Sequence, residues 1–289
     1  YKAAGIERLG VAPYDYWKEA LHGVARQGAA TSFPTALSMS NTWNTELIYK
    51  LADATSTEAR AKNDRYNLSY WSPTINMARD PRWGRNEESM GEDPYLTGQL
   101  GAAFVNGMQG NDTTYLKTIA TLKHFAANNK ETNRKDSDSR VSERALREIY
   151  LKPFEMAIKE ADANGIMNSK NSIGSRWIGS NADVQNTIVR GEWGFKGIIG
   201  TDSLDAVSEY YENQNEAVRA GTDKMLCMSY GDDYWADESA GTVIALRNAA
   251  HHILYALSNS DAVDVHTGLP VWVYKFIAVD SIIVILLAI

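Results

Sequence analysis

The chain has 289 residues, with 29 basic and 36 acidic side chains and a formal charge of −7. Hydrophobic residues at 44% and charged residues at 22% describe a globular chain and exclude a largely disordered one. The acidic balance argues against a general binder of nucleic-acid phosphates, and the single cysteine, Cys227, excludes an internal disulfide and a cysteine-based zinc site.

The first residue is Tyr1, and YKAAGIERLG lacks the apolar core of a signal peptide, so the chain is expected to be a mature form or a piece of a longer protein. Apolar periodicity then predicts helices and strands in alternation. Helix Thr45–Asn63 comes first, with Leu47, Leu51, Ala54 and Ala61 near one face. Strand Leu68–Met77, helix Tyr95–Gly107 and strand Thr118–Phe125 follow. The next helix, Ser142–Ala161, is capped by Ser142 and repeats Leu146, Ile149, Tyr150, Ala157, Ile158 and Ala161, with a kink or break expected at Pro153. Strand Gly165–Ser169, helix Ala182–Glu192, strand Gly197–Thr201, helix Leu204–Ala220, strand Lys224–Met228 and helix Ser239–Ser258 complete the series.

Residues 1–262 are read as one domain, 263–270 as a linker and 271–289 as a hydrophobic tail. The tail carries only Lys275 and Asp280 as charges, with Trp272 and Tyr274 near its start. Two readings stay open for it: a truncated transmembrane segment, which needs about 20 mostly apolar residues, or a buried element of a further domain. On the first, the protein is membrane-anchored through its C-terminal tail.

Strand–helix alternation implies a parallel sheet with helical crossovers. The fold is α/β, closed either as a (β/α)8 TIM-type barrel or as an open doubly wound sheet. No Gly-x-Gly-x-x-Gly follows a strand and no Gly-x-x-x-x-Gly-Lys-Ser/Thr occurs, which removes the main support for a nucleotide-binding doubly wound sheet. The barrel is therefore expected, with its N-terminal side open to being incomplete.

In such a barrel, chemistry sits just past the C-terminal ends of the strands. ARDPRWGRNEESMGEDP follows the first strand and supplies Asp80, Arg82, Arg85, Glu87, Glu88, Glu92 and Asp93. Lys123 and His124 stand at the end of the second strand, Asn168, Lys170 and Asn171 at the third, and Asp202 at the fourth. This inventory suits a hydroxyl-rich ligand, because carboxylates and amides accept from hydroxyls while Arg and Lys donate to them. Trp71 and Trp83 are candidates to cover apolar sugar faces. Plainer readings compete: Asp202 as an N-cap of the following helix, Lys123 and His124 as a buried pair satisfied by carboxylates, and Arg85 as a brace of its own loop through Glu88 or Glu92. The adjacent His251 and His252 lack the i, i+4 spacing of a helical metal site, so no metal is expected.

Five segments sharpen this reading: YDYWKEALHGVA (14–25), SPTINMARDPRWGRNEESMGEDPYLTG (72–98), TLKHFAANNKETNR (121–134), VSERALREIYLKPFE (141–155) and RGEWGFKGIIGTDS (190–203). From Gly5 to about Ser260 the sequence resembles the barrel domain of glycoside hydrolase family 3. The resemblance implies a retaining exo-acting β-glycosidase, a β-glucosidase or, as the close variant, a β-xylosidase, with a β-linked oligosaccharide or glycoside as substrate and no cofactor. It places the catalytic nucleophile at Asp202, sugar-hydroxyl contacts at Lys123, His124 and Arg85, and a carboxylate for the outer hydroxyls at Glu19. Lys170 falls where the family usually has Tyr, in Ser169-Lys170-Asn171, and Ser203 falls where Trp or Cys is usual. The family's acid/base usually lies on a separate α/β sandwich domain, absent from these residues, and KHFAANNKE lacks the His-Asp loop of relatives that dispense with it. A non-catalytic sugar-binding barrel is thus the alternative from another class.

Overall fold

The computed structural model describes residues 2–62, 68–204, 212–227, 237–260 and 271–288. Five short strands form one parallel sheet: β1 (Ser69–Tyr70), β2 (Ile119–Phe125), β3 (Gly165–Asn168), β4 (Ile198–Leu204) and β5 (Lys224–Cys227). Their spatial order equals their sequence order, and every neighbouring pair is parallel. A doubly wound sheet reverses direction at a switch point, whereas a barrel winds one way only. The chain is therefore an α/β protein with a curled, TIM-like parallel sheet, with five barrel strands among the described residues. β2 is buried along its whole length, as a parallel strand covered on both faces must be.

Each predicted strand is present with shifted ends. The first contracts to Ser69–Tyr70 because Pro73 has no N–H to donate, yet the chain still runs beside β2: Thr121 N donates to Ser72 O (2.9 Å) and Ile75 N to Lys123 O (2.9 Å). The fourth extends three residues beyond its predicted end, to Leu204. Met228 lies outside the described residues.

The α-helices of seven or more residues among the described residues are α1 (Thr45–Ala61), α2 (Pro94–Gln109), α3 (Lys152–Ala161), α4 (Gln214–Ala220), α5 (Ala240–Ser258) and α6 (Val271–Ala288). Side-chain caps start four of them: Asn44 accepts from Leu47 N, Asp93 from Leu96 N, Asn213 from Glu216 N and Ser239 from Thr242 N. Residues 183–192 form a wide-turned helical segment. The helix predicted over Ser142–Ala161 is split. Ser142 caps as expected (3.3 Å to Ala145 N), a wide turn runs over Leu146–Tyr150, and Pro153 sits in the first turn of α3. That wide turn rotates Ile149 out of the predicted apolar face, leaving it exposed. For the helix predicted over Leu204–Ala220, α4 covers only the end; residues 205–211 lie outside the described residues.

The inward face of α1 is corrected. Ile48, Ala52, Thr55, Ser56 and Ala59 are buried, while Leu47, Ala54 and Ala61 are exposed. Small and hydroxylated side chains face α2 because the two helices approach closely there. Gly107 marks the contact: a Cβ on it would collide with the Tyr49 carbonyl oxygen and come within 2.7 Å of the Ala52 Cβ, and Ser56 Oγ donates to Gly107 O at 2.8 Å. Gly107→Ala is expected to cost about 1–3 kcal/mol, the range of core overpacking, read as a lower urea midpoint with an unchanged m-value.

The tail is helical over Val271–Ala288, and its described apolar side chains, among them Phe276, Ile282 and Leu286, are exposed. No helix among the described residues is long and apolar enough to cross a membrane.

Inside the sheet's curl, Met167, Ile198 and Leu226 help enclose a void of only about 30 Å³, room for roughly one water. A sugar cannot enter there, so any ligand of the barrel must sit at a rim.

Candidate active site at the C-terminal rim

Parallel registry sets the strand ends side by side: Phe125 pairs with Asn168, and Met167 with Gly200. The residues just beyond these pairs share the C-terminal rim. Asp202 stands inside the extended β4, followed by two further strand residues, and its Oδ1 accepts from Ser203 N at 2.7 Å. The N-cap reading of Asp202 is therefore overturned: extended backbone continues through it to Leu204.

Arg85 reaches the same rim from the loop after β1. Its Nε and Nη2 each donate to Glu88 at 2.7 Å, so the loop-bracing reading is correct as far as it goes. Burial works against the Arg85 charge, but the bonds to Glu88 and the charges of Glu131 and Asp202 outweigh it and raise its pKa. For Glu88, burial is likewise offset by Arg85, Lys123 and a bond from Thr74, and its carboxyl is held below the ordinary value.

Lys123 and His124 are both 3% exposed. Burial is the main influence on Lys123 and lowers its pKa, against the opposing pull of Glu19, Glu88 and Asp202. These three carboxylates and Arg85 thus lie within electrostatic reach of one ammonium group. His124 is pinned by its backbone, whose N–H donates to Asn76 Oδ1 (2.7 Å) and whose carbonyl accepts from Asn76 Nδ2 (2.8 Å). Its ring Nδ1 is buried without a hydrogen-bond partner among the described residues. Burial, then the nearby Arg85, Lys123 and Arg134 cations, push the His124 pKa well below 6.5. A histidine held neutral in the fold but free to protonate when unfolded lowers stability as pH falls below about 6.5. His124→Gln is expected to flatten that part of the stability profile, measured as the change in urea midpoint between neutral and mildly acidic pH.

Glu19 is carried in by the segment preceding β1, where Trp71 N donates to Lys18 O (2.9 Å) and Ala20 N to Ser72 Oγ (2.9 Å). Its carboxylate accepts from Arg26 at 3.3 Å. Lys170 follows β3 in a turn and is buried.

Sequence reasoning missed Arg134 and Glu131. Arg134 Nη1 lies 4.0 Å from Asp202 Oδ2 and donates to Glu131 Oε2 at 3.0 Å, and Trp83 Nε1 holds the other Glu131 oxygen at 3.0 Å. Both residues belong to the quoted KETNR segment, so the signal was present, but only folding turns that loop toward β4. The tryptophans proposed as sugar platforms are corrected: Trp71 packs edge-on against Trp17 in the core, and Trp83 is buried and spends its N–H on Glu131. Large aromatic rings gain more from full burial than from a rim position.

The rim thus gathers partly accessible carboxylates and cations around Asp202, with no group of three or more His, Cys, Asp or Glu side chains able to hold a metal among the described residues. Residues 11–249 match the family model described as "Glycosyl hydrolase family 3 N terminal domain". The chain belongs to glycosyl hydrolase family 3. Among family 3 relatives, a xylan 1,4-beta-xylosidase of Xylanibacter ruminicola is 36% identical over 254 residues, which is 79% of this chain and 29% of that protein. Beta-glucosidase A of Butyrivibrio fibrisolvens is 41% identical over 199 residues, 68% of this chain and 22% of that protein. A family 3 beta-glucosidase structure from Bifidobacterium adolescentis superposes with a TM-score of 0.80 at 29% identity, covering 96% of this chain and 40% of that one. A family 3 exo-beta-xylosidase bound to a xylobiose aziridine probe gives 0.79 at 29% identity, with 91% and 38% covered. The chain therefore spans between about a fifth and two fifths of the length of these relatives.

Proposed function

We propose that Asp202 is the nucleophile of a retaining, exo-acting β-glycosidase that removes terminal non-reducing β-D-glucosyl residues. The observation that carries this is the Asp202 carboxylate at the end of β4, 4.0 Å from Arg134 and within the field of Lys123 and Arg85. A carboxylate oxygen placed at the rim among these cations can attack an anomeric carbon as a covalent nucleophile. In the proposed reaction one Asp202 oxygen bonds to C1 as the bond from C1 to the leaving oxygen breaks. A general acid gives that oxygen its proton, and water then releases the sugar. We assign the acid to an α/β sandwich domain outside these residues. Lys123, Arg85 and the buried, unpartnered His124 ring nitrogen are assigned to the sugar hydroxyls, with Glu19 on the outer ones and Lys170 at the edge of the same subsite.

Glucose differs from xylose by a hydroxymethyl group, and the likeness to beta-glucosidase A, 41% identical over 199 residues, supports the glucoside reading. The β-xylosidase names of relatives favour the second reading, a β-xyloside. Aryl β-glucoside and aryl β-xyloside carry leaving groups that need little acid assistance, so their relative rates decide the sugar. A 2-fluoro β-glucoside is expected to leave one glycosyl group covalently on Asp202, read by peptide mass. Reversible binding with no label would instead identify a sugar-binding barrel, the outcome that Lys170 and Ser203 would explain.

A further inference from the structure

The loop of residues 126–134 has two sides. Glu131 and Arg134 face Asp202, while Ala127 to Lys130 line a separate polar cavity of about 300 Å³, at the lower end of ligand-pocket sizes. None of Asp202, Arg85, Lys123 or His124 borders it.

Two features of its wall point to an occupant. First, amides on the wall are left open. Asn171 is 2% exposed, and its Nδ2 donates to Ala126 O (3.2 Å) and Ser139 Oγ (3.3 Å), but its Oδ1 has no partner. Asn128, 3% exposed, forms no side-chain hydrogen bond among the described residues. An amide on the wall that makes no hydrogen bond of its own can exchange hydrogen bonds with the hydroxyls of an occupant. Second, the charge is unbalanced. Asp138 is engaged by Arg140 (3.5 Å) and by Ser175 N (2.9 Å), whereas Arg79 and Lys130 have no hydrogen-bonded or ion-paired partner among the described residues.

We infer that this cavity binds a hydroxylated carboxylate of monosaccharide size, a hexuronate, with its carboxylate on Arg79 and Lys130 and its hydroxyls on the asparagines. Arg and Lys bind carboxylates through charge-assisted bonds, and amides exchange hydrogen bonds with hydroxyls. This inference stands apart from the assignment of Asp202.

The test is calorimetric titration of the chain with sodium D-glucuronate, with glucose and acetate as probes lacking the charge or the hydroxyls. Glucuronate is expected to bind saturably, with both comparators weaker by roughly tenfold or more. The exposed double variant Arg79→Ala/Lys130→Ala is expected to lose glucuronate binding to a similar degree while keeping its circular dichroism, and Asp202→Asn is expected to bind as the parent does. No saturable binding, equal affinity for glucose, an unaffected double variant, or loss of binding in Asp202→Asn would each overturn the inference. Loss in Asp202→Asn would also show that the uronate occupies the rim, separating this failure from any failure of the glycosidase assignment.

Discussion

Asp202→Asn is expected to lower turnover of an activated aryl β-glycoside by roughly a thousandfold or more, the scale on which a covalent nucleophile acts. The amide keeps the size of the side chain and its neighbour contact to Ser203 N, so the fold should be unchanged and the loss should fall on kcat. Asp202→Gly distinguishes a nucleophile from a mere electrostatic support. Azide entering the space left by the carboxylate would attack C1 from the same face and give an α-glycosyl azide, visible by NMR. A support role predicts no such product. The surrounding cations define a second readout. Arg134→Gln removes the positive group 4.0 Å from Asp202, and kcat on the same aryl glycoside is expected to fall by roughly tenfold, because that cation helps position the carboxylate.

The largest effect on stability is expected at the opposite rim. Asp223 precedes β5, and its side chain is only 2% exposed. Its Oδ2 accepts from Arg190 Nη2 (2.6 Å) and Ile199 N (2.8 Å), and its Oδ1 meets His252 Nδ1 at 2.7 Å. One carboxylate therefore joins β4, the 183–192 segment and α5. Arg190 also donates to the carbonyls of Phe195 and Gly197. Asp223→Ala would strand the buried Arg190 guanidinium, whose charged form burial already disfavours. Breaking a buried pair from one side costs about 3–5 kcal/mol, a large share of the roughly 5–15 kcal/mol that holds a domain folded. The double change Asp223→Ala/Arg190→Met should recover part of the loss, since it leaves no unpaired charge. Urea denaturation of the two variants decides the matter. If the single and double changes cost the same, the pair itself is not what stabilises this rim. His252, set aside as a metal ligand because it is adjacent to His251, has its place here instead.

How much could be read before folding differs from residue to residue. The five strands and the polar ends of the first four follow from local patterning: short apolar runs ending near Arg85, Lys123–His124, Lys170 and Asp202. Parallel strands joined by helices must all end on one rim, so collecting these residues together needed no coordinates. The Arg85–Glu88 pair was likewise legible, because three residues of loop suffice to bring the two side chains together. The inward face of α1 was not. Its buried residues are alanine, serine and threonine, chosen by the closeness of α2 at Gly107, and hydropathy alone favoured Leu47 on the side that proved exposed.

Long-range geometry decided the rest. Whether Asp202 caps a helix or extends a strand depended on pairing with β5, whose Leu226 and Cys227 stand opposite Ser203 and Leu204 and carry β4 on past Asp202. The burial of Trp71 and Trp83, the turn that aims Arg134 at Asp202, and the unpaired amide of Asn171 each depend on segments distant in the chain. Local sequence determines which groups are available and on which rim they stand. Only tertiary packing, which buries some groups and leaves others unpaired, determines which of them can act.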